Sequence, residues 1–275
     1  MAPVHTLRET VVTAGPQSSR SALRELWSSR SVVRAFLVRS LRVRYRQAVL
    51  GVAWAVIQPL ALLVPLVVFL RGDASVSAYA PGALAALVGW QFVSSAVVGG
   101  ASALVAEAPL VRKTWFPREA PVVAAVLAAL VELAVGLVLF AVVGPILGAH
   151  LGIGLLALPL VLVVAVVVAL AVVLPLAAAN AVFRDVRHAL PFATLLWLFV
   201  SPVAFRVEKV SSGRRLLYAF VNPSVGPLDG FRRVLAEGRW PNLTLLGAST
   251  VSALLVGWFG HRRFLRLAPT LPDVV

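Results

Sequence analysis

The sequence predicts an all-α polytopic membrane protein: six transmembrane helices behind an N-terminal amphipathic interfacial helix, with short re-entrant helices between spans five and six. Composition is the first reason. Of 275 residues 60% are hydrophobic and 13% charged, with a mean hydropathy of +0.93, whereas soluble domains are roughly half apolar and a quarter charged. The second is the run of apolar windows near 48–70, 82–106, 121–147, 152–180, 189–205 and 243–260. Each falls near the roughly 17–25 residues that cross a hydrocarbon core of about 30 Å. The third is where the charge lies. A net charge of +14 and a pI near 11.7 would suggest nucleic acid in a soluble chain. Here the basic residues gather at alternate ends of the windows, which is how short loops orient a membrane protein, so no nucleic-acid partner is expected.

Taken in order, residues 1–20 lack the continuous apolar core of a signal peptide and read as a disordered cytoplasmic tail. Residues 21–46 read as the interfacial helix. Val33, Phe36, Leu37 and Leu41 repeat at helical spacing, while Arg34, Arg39, Arg42 and Arg46 project from the opposite arc toward lipid headgroups. Arg44 falls on the apolar arc, and a basic flank that merely orients span one would give the same arginines. Residues 47–267 hold the six-helix permease domain, and 268–275 a second cytoplasmic tail. Span one begins in "VLGVAWAVIQPL", where Trp54, Gln58, Ala61 and Pro65 share a face; Gln58 offers a polar group to a cavity or to a neighbouring helix. In span two Ser95, Gly99 and Ala103 form a small-residue stripe suited to close helix packing. Span four is long, with Pro159 and Pro175 inside it, yet too short for two crossings.

Arg30, Arg34, Arg39, Arg42, Arg44 and Arg46 before span one, Arg112, Lys113 and Arg118 after two, Arg184 and Arg187 after four, and Arg262, Arg263 and Arg266 after six fall on one side when there are six spans. That side is the cytoplasm, with both termini on it. Residues 206–241 break the pattern, for this outer loop carries Arg206, Lys209, Arg214, Arg215, Arg232, Arg233 and Arg239. Its apolar residues form two short groups, Leu216–Val221 and Leu228–Leu235, with "NPSVGP" between them. Two helices of about ten residues joined at a proline-forced turn and dipping into the outer leaflet account for this. Such backbone is tolerated at membrane depth only beside protein or a water-filled cavity.

The chain has no cysteine, so disulfides and thiolate metal sites are excluded. No histidine pair or carboxylate pair lies inside a span, and no P-loop motif is present. No metal site and no bound cofactor are expected. The one acidic residue well inside a span is Glu132, a path candidate by position; a hydrogen-bonded packing role is the alternative. Span five presents Phe192, Leu195, Leu196 and Phe199 along one face and Trp197 along another. An aromatic face can carry the apolar side of a sugar ring. Trp197 is therefore a substrate-path candidate, with Trp54, Trp90 and Gln58 beside it, the alternative for the tryptophans being a membrane-interface belt.

Five stretches in order, "LRELW", "LRVRYRQAVLGVAWAVIQPL", "LVRKTWFPREAPVVAAVLAALVEL", "FRDVRHALPFATLLWLFVSPVAF" and "VNPSVGPLDGFRRVL", resemble the membrane subunits of bacterial type-2 ATP-binding-cassette transporters that export polysaccharides such as O-antigen, capsule and teichoic acid. The resemblance covers nearly all of the chain after residue 20. It implies an interfacial helix at about 22–44, a coupling segment of Leu110, Arg112, Lys113, Trp115, Phe116, Arg118 and Glu119, and re-entrant outer helices around Asn222, Pro223, Gly226 and Gly230. It further implies a location in the bacterial inner membrane, a second copy of the chain with the path between copies, a lipid-linked polysaccharide as cargo, and two copies of a separate ATPase that binds ATP and Mg. The loop "RGDASVSAYAPG" is shorter than is usual in that family. An exporter of small hydrophobic compounds shares the architecture but lacks the "VRYRQ" and "FRDVRH" pieces. An intramembrane enzyme acting on lipid-linked sugars is the alternative from another class, and the missing catalytic constellation opposes it.

Overall fold

The computed structural model describes residues 25–46, 53–114, 116–183 and 185–267. All regular structure among them is helical. The two expected tails, the start of span one at 47–52, Trp115 and Arg184 lie outside the described residues, as do the side chains of Arg44 and Arg46.

Helix α1 (Arg30–Arg46) precedes α2 (Trp54–Pro65), which continues into a wider π-helical turn, Leu66–Leu70. Prolines at 59 and 65 each remove a helical amide donor, and widening directly after the second proline is one way a helix absorbs that loss. Next come α3 (Val76–Ala106), α4 (Ala108–Lys113), α5 (Glu119–Ile146) and α6 (Leu158–Val182), the last entered through a 3-10 turn, Ile153–Ala157. Then follow α7 (Asp185–Val200), α8 (Arg215–Val221), α9 (Val225–Phe231) with its π-helical continuation Arg232–Ala236, and α10 (Leu243–Leu267).

Helix α3 is the centre of the bundle, packed by α2, α5, α6, α7 and α9. Its residues explain why. Ala83, Ala85, Ala86, Gly89, Ala96, Gly100 and Ala101 are buried and small, and small residues let helices approach closely where lipid offers no hydrophobic drive for association. At Gly89 a Cβ would stand 2.4 Å from the Phe231 ring, and at Gly100 2.5 Å from Val173, so both neighbours fill space that any side chain would take. Helix α10 seats on α6 in the same way, Gly257 against Ala171 and Gly260 against Pro175.

Among the described residues, four helices are long and apolar enough to cross a membrane: Val76–Ala106, Glu119–Ile146, Ile153–Val182 and Leu243–Leu267. They correspond to the second, third, fourth and sixth predicted windows. The first window gives Trp54–Leu70, shorter than these four, and the fifth gives the 16 residues of α7, whose first turn spends Asp185, Arg187 and His188 on polar positions. Helix α3 also starts earlier than its apolar window, because Ser75 accepts a hydrogen bond from the Ala78 amide at 3.3 Å and caps it there.

Candidate transport path and coupling surface

Of the five path candidates, the fold brings two into contact. Trp90 on α3 is 3% exposed and meets Trp197 on α7 edge to face, ring centroids 5.4 Å apart, a favourable quadrupolar geometry. The Trp197 indole N–H donates to Asn222 Oδ1 at 2.9 Å. Asn222 is the residue after α8, and it is itself held: its Nδ2 donates to Ser201 Oγ (3.1 Å), and its Oδ1 also accepts from the Ser224 amide and hydroxyl (3.2 and 2.7 Å). A rigid polar knot thus ties α3, the end of α7 and the α8–α9 turn. Gln58 on α2 accepts from Gln91 Nε2 at 2.6 Å, one residue from Trp90. Trp54 is half exposed at the start of α2 and Glu132 is partly buried in mid-α5; neither is part of the knot.

The other named turn residues are buried with it. Gly226 offers its amide to Ser249 Oγ at 2.9 Å, and a Cβ there would stand 2.8 Å from the Leu245 carbonyl on α10. Gly230 packs against Val161 of α6, and Pro223 is buried between α8 and α9.

The coupling candidates divide into outward and inward residues. Arg112 and Lys113 are exposed at the end of α4, and Leu110 is half-buried on the same short helix. Thr114 Oγ1 closes the helix on the Leu110 carbonyl at 2.8 Å. Phe116 turns inward, 7% exposed, its ring 5.2 Å from Phe36 of α1, and the Arg118 guanidinium lies over it at 4.9 Å, a cation-π contact. Burial draws the Arg118 pKa below its ordinary value. Glu119 is buried where α5 begins, with Oε1 lacking a hydrogen-bond partner.

Helix α1 therefore lies on α5 through Phe36, while Arg34 and Arg42 remain exposed. Arg39 reaches back to Glu107 at 3.2 Å. Burial raises the Glu107 pKa and the Arg39 charge opposes the rise.

Sequence reasoning missed a charged cluster within the segment that breaks the charge rule. Arg233 bonds Asp229 (2.7 Å) and Glu208 (2.6 Å), and Arg206 bonds Glu237 (2.9 Å). Burial raises the Asp229 pKa, and Arg233 works against it by charge and hydrogen bond. Arg232 is 2% exposed, and its Nη2 donates to the carbonyls of Pro202, Val203 and Phe205 at 3.3, 3.1 and 3.5 Å. Tyr79 of α3 donates to Ala204 in the same turn at 2.7 Å. The Asp229–Arg233 spacing of four was the available signal; nothing in the sequence separates buried Arg232 from its neighbour.

Membrane-length apolar helices packed around one small-residue helix define a multi-pass membrane protein. The ABC-2 type transporter family matches residues 31–236, and the chain belongs to that family, as its sequence resemblance implied. It is a transport subunit, in a family that works with a separate ATP-binding partner. The O-antigen export system permease protein RfbA of Myxococcus xanthus is 28% identical over 240 residues, covering 86% of this chain and 92% of that protein.

Proposed function

We propose that this chain is the transmembrane half of an exporter that moves a lipid-linked polysaccharide from the cytoplasm to the outer side of a bacterial inner membrane. Two copies assemble with two ATPase subunits, each copy crossing six times with both termini in the cytoplasm and α8 and α9 re-entering from outside. Similarity across most of its length to an O-antigen export permease supports the cargo class. A glycan chain carries many hydroxyls, and each left unpaired in hydrocarbon costs several kcal/mol, so the path needs protein walls.

One chain fills its interior with its own side chains around α3. Among the faces left uncovered are those of the two shortened spans: Phe192, Leu195, Leu196 and Phe199 on α7, and Trp54 with Gln58 on α2. There we place the second copy and the path between. The observation that carries this reading is the knot of Trp90, Trp197 and Asn222, which ties α7, on a face other than its exposed one, to α3 and the α8–α9 turn. Movement of that turn would then be felt by the aromatic wall, and opening of the outer end coupled to the path.

Export of long glycan by Trp197→Leu tests it. The expected result is reduced export at normal protein level and normal ATPase assembly. Normal export by that variant removes Trp197 and its knot from the path.

A further inference from the structure

Segment 206–241 holds seven basic residues against three carboxylates, Glu208, Asp229 and Glu237. All three carboxylates are committed: Asp229 and Glu208 to Arg233, Glu237 to Arg206. That leaves Arg232, the most buried of the cations, without a carboxylate partner among the described ion pairs. A guanidinium has five donor hydrogens on three nitrogens. Only Nη2 of Arg232 is engaged, and both Nε and Nη1 are buried without a hydrogen-bond partner. Burying a charge so incompletely satisfied is costly. Something of opposite sign would offset that cost.

The place for it is adjacent. A cavity of ≈ 550 Å³ is separated from the guanidinium by Gly82 and is lined by Ser77, Gly82, His150, Arg206, Glu237 and Arg239 among others. Gly82 forms the wall toward Arg232. A Cβ at Gly82 would stand 2.9 Å from Nη1, so the glycine is what lets the guanidinium press against that wall. The cavity is built from four separate parts of the chain. His150 donates its backbone amide to the Ala236 carbonyl at 2.9 Å, and Gly154 donates to the Gly238 carbonyl at 3.1 Å, which pins the α5–α6 loop to the end of the π-helical turn. Gly238 takes φ +63°, a conformation that favours glycine. Its Cβ position would lie 2.6 Å from the His150 carbonyl, so the pinning needs a glycine on both counts.

We propose that this cavity is an anion site that takes a phosphate or diphosphate group, held by Arg206 and Arg239, with buried Arg232 contributing its charge from behind the Gly82 wall. Planar guanidinium forks match phosphate oxygens in pairs. The Ser77 hydroxyl supplies a further donor, with His150 beside it in the lining. The site is distinct from the aromatic path and stands whether or not the cargo is a polysaccharide. Its phosphate comes either from a lipid headgroup or from a soluble or cargo-borne phosphate.

The test is thermal unfolding of the purified full chain, first in detergent with pyrophosphate titrated at constant ionic strength. A saturable rise in Tm is expected, matched by no rise with chloride. Arg206→Gln with Arg239→Gln, both exposed positions, should weaken the half-saturating concentration at least tenfold. Gly82→Ala, which drives a methyl into Nη1, should do the same with the rim arginines intact. The source is read in nanodiscs of phosphatidylcholine with or without phosphatidylglycerol. A headgroup site shows stabilisation by phosphatidylglycerol that pyrophosphate does not add to, whereas a site for soluble or cargo-borne phosphate keeps its pyrophosphate response in both. No saturable shift in detergent or either nanodisc, or a shift unchanged by the double substitution, overturns the proposal.

Discussion

Arg112 at the end of α4 and Phe116 in the loop that follows do different jobs. Phe116 fills space between α1 and the start of α5 and is capped by Arg118, while Arg112 is exposed. Truncating a buried phenylalanine costs about 3–5 kcal/mol. Phe116→Ala should therefore lower the Tm of the purified chain by several degrees and make α1 more sensitive to protease. Exposed Arg112→Ala with Lys113→Ala should leave Tm within about a degree, since exposed substitutions away from packed features change stability little, and yet reduce co-purification of the partner ATPase. Equal Tm losses in both variants, measured by thermal unfolding, would remove this division. At the α8–α9 turn, Asn222→Ala strands the Trp197 N–H and the Ser224 amide and takes one partner from each of the Ser201 and Ser224 hydroxyls, which keep their mutual contact at 3.0 Å. Each buried polar group left unmet costs about 1–3 kcal/mol, so this variant should be less stable than Trp197→Phe, which leaves only Asn222 short of one donor. A Trp197→Phe chain that unfolds at a lower temperature than Asn222→Ala would contradict that ranking.

Elements were the most legible level in the sequence, though unevenly. Apolar windows located the four long helices because a membrane helix is defined by composition over about 20 residues. Alternating faces located α1, and "NPSVGP" placed the turn between α8 and α9, since proline chemistry acts locally. Helix starts were less legible: the Ser75 cap extends α3 beyond its apolar window. The knot and the buried Arg232 were not legible at all, because Trp90 and Trp197, or Arg232 and Gly82, meet only once the helices pack. Faces left bare are also an element-scale result. Chain α7 exposes Leu195 at 49%, and the chain has no cysteine, so Leu195→Cys is a clean probe. Oxidation in membranes should give a disulfide-linked dimer, whereas a cysteine at Leu156, exposed on the α5–α6 connection, should not. The absence of a Leu195→Cys dimer would move the second copy to another face.

For the molecule as a whole, topology and cargo are linked claims. A cysteine at Ser211 should react with an impermeant maleimide from outside intact cells, and one at Thr114 or Arg187 only after the membrane is opened; a cytoplasmic Ser211 would undo the six-span arrangement together with the re-entrant pair. The proposed anion cavity lies at the end of the bundle that this arrangement places outside, and the aromatic knot reaches from the α8–α9 turn to Trp90 at the middle of α3. The central claim is that the assembled complex moves glycan, and it is most directly tested by reconstituting this chain with its partner ATPase in vesicles. Appearance of lipid-linked polysaccharide on the far side is then followed as ATP is consumed. Long glycan should cross only with ATP, should stimulate hydrolysis, and should cross more slowly in a Trp197→Leu complex of equal ATPase content. Hydrolysis stimulated by small hydrophobic compounds, with no glycan crossing, would contradict the account.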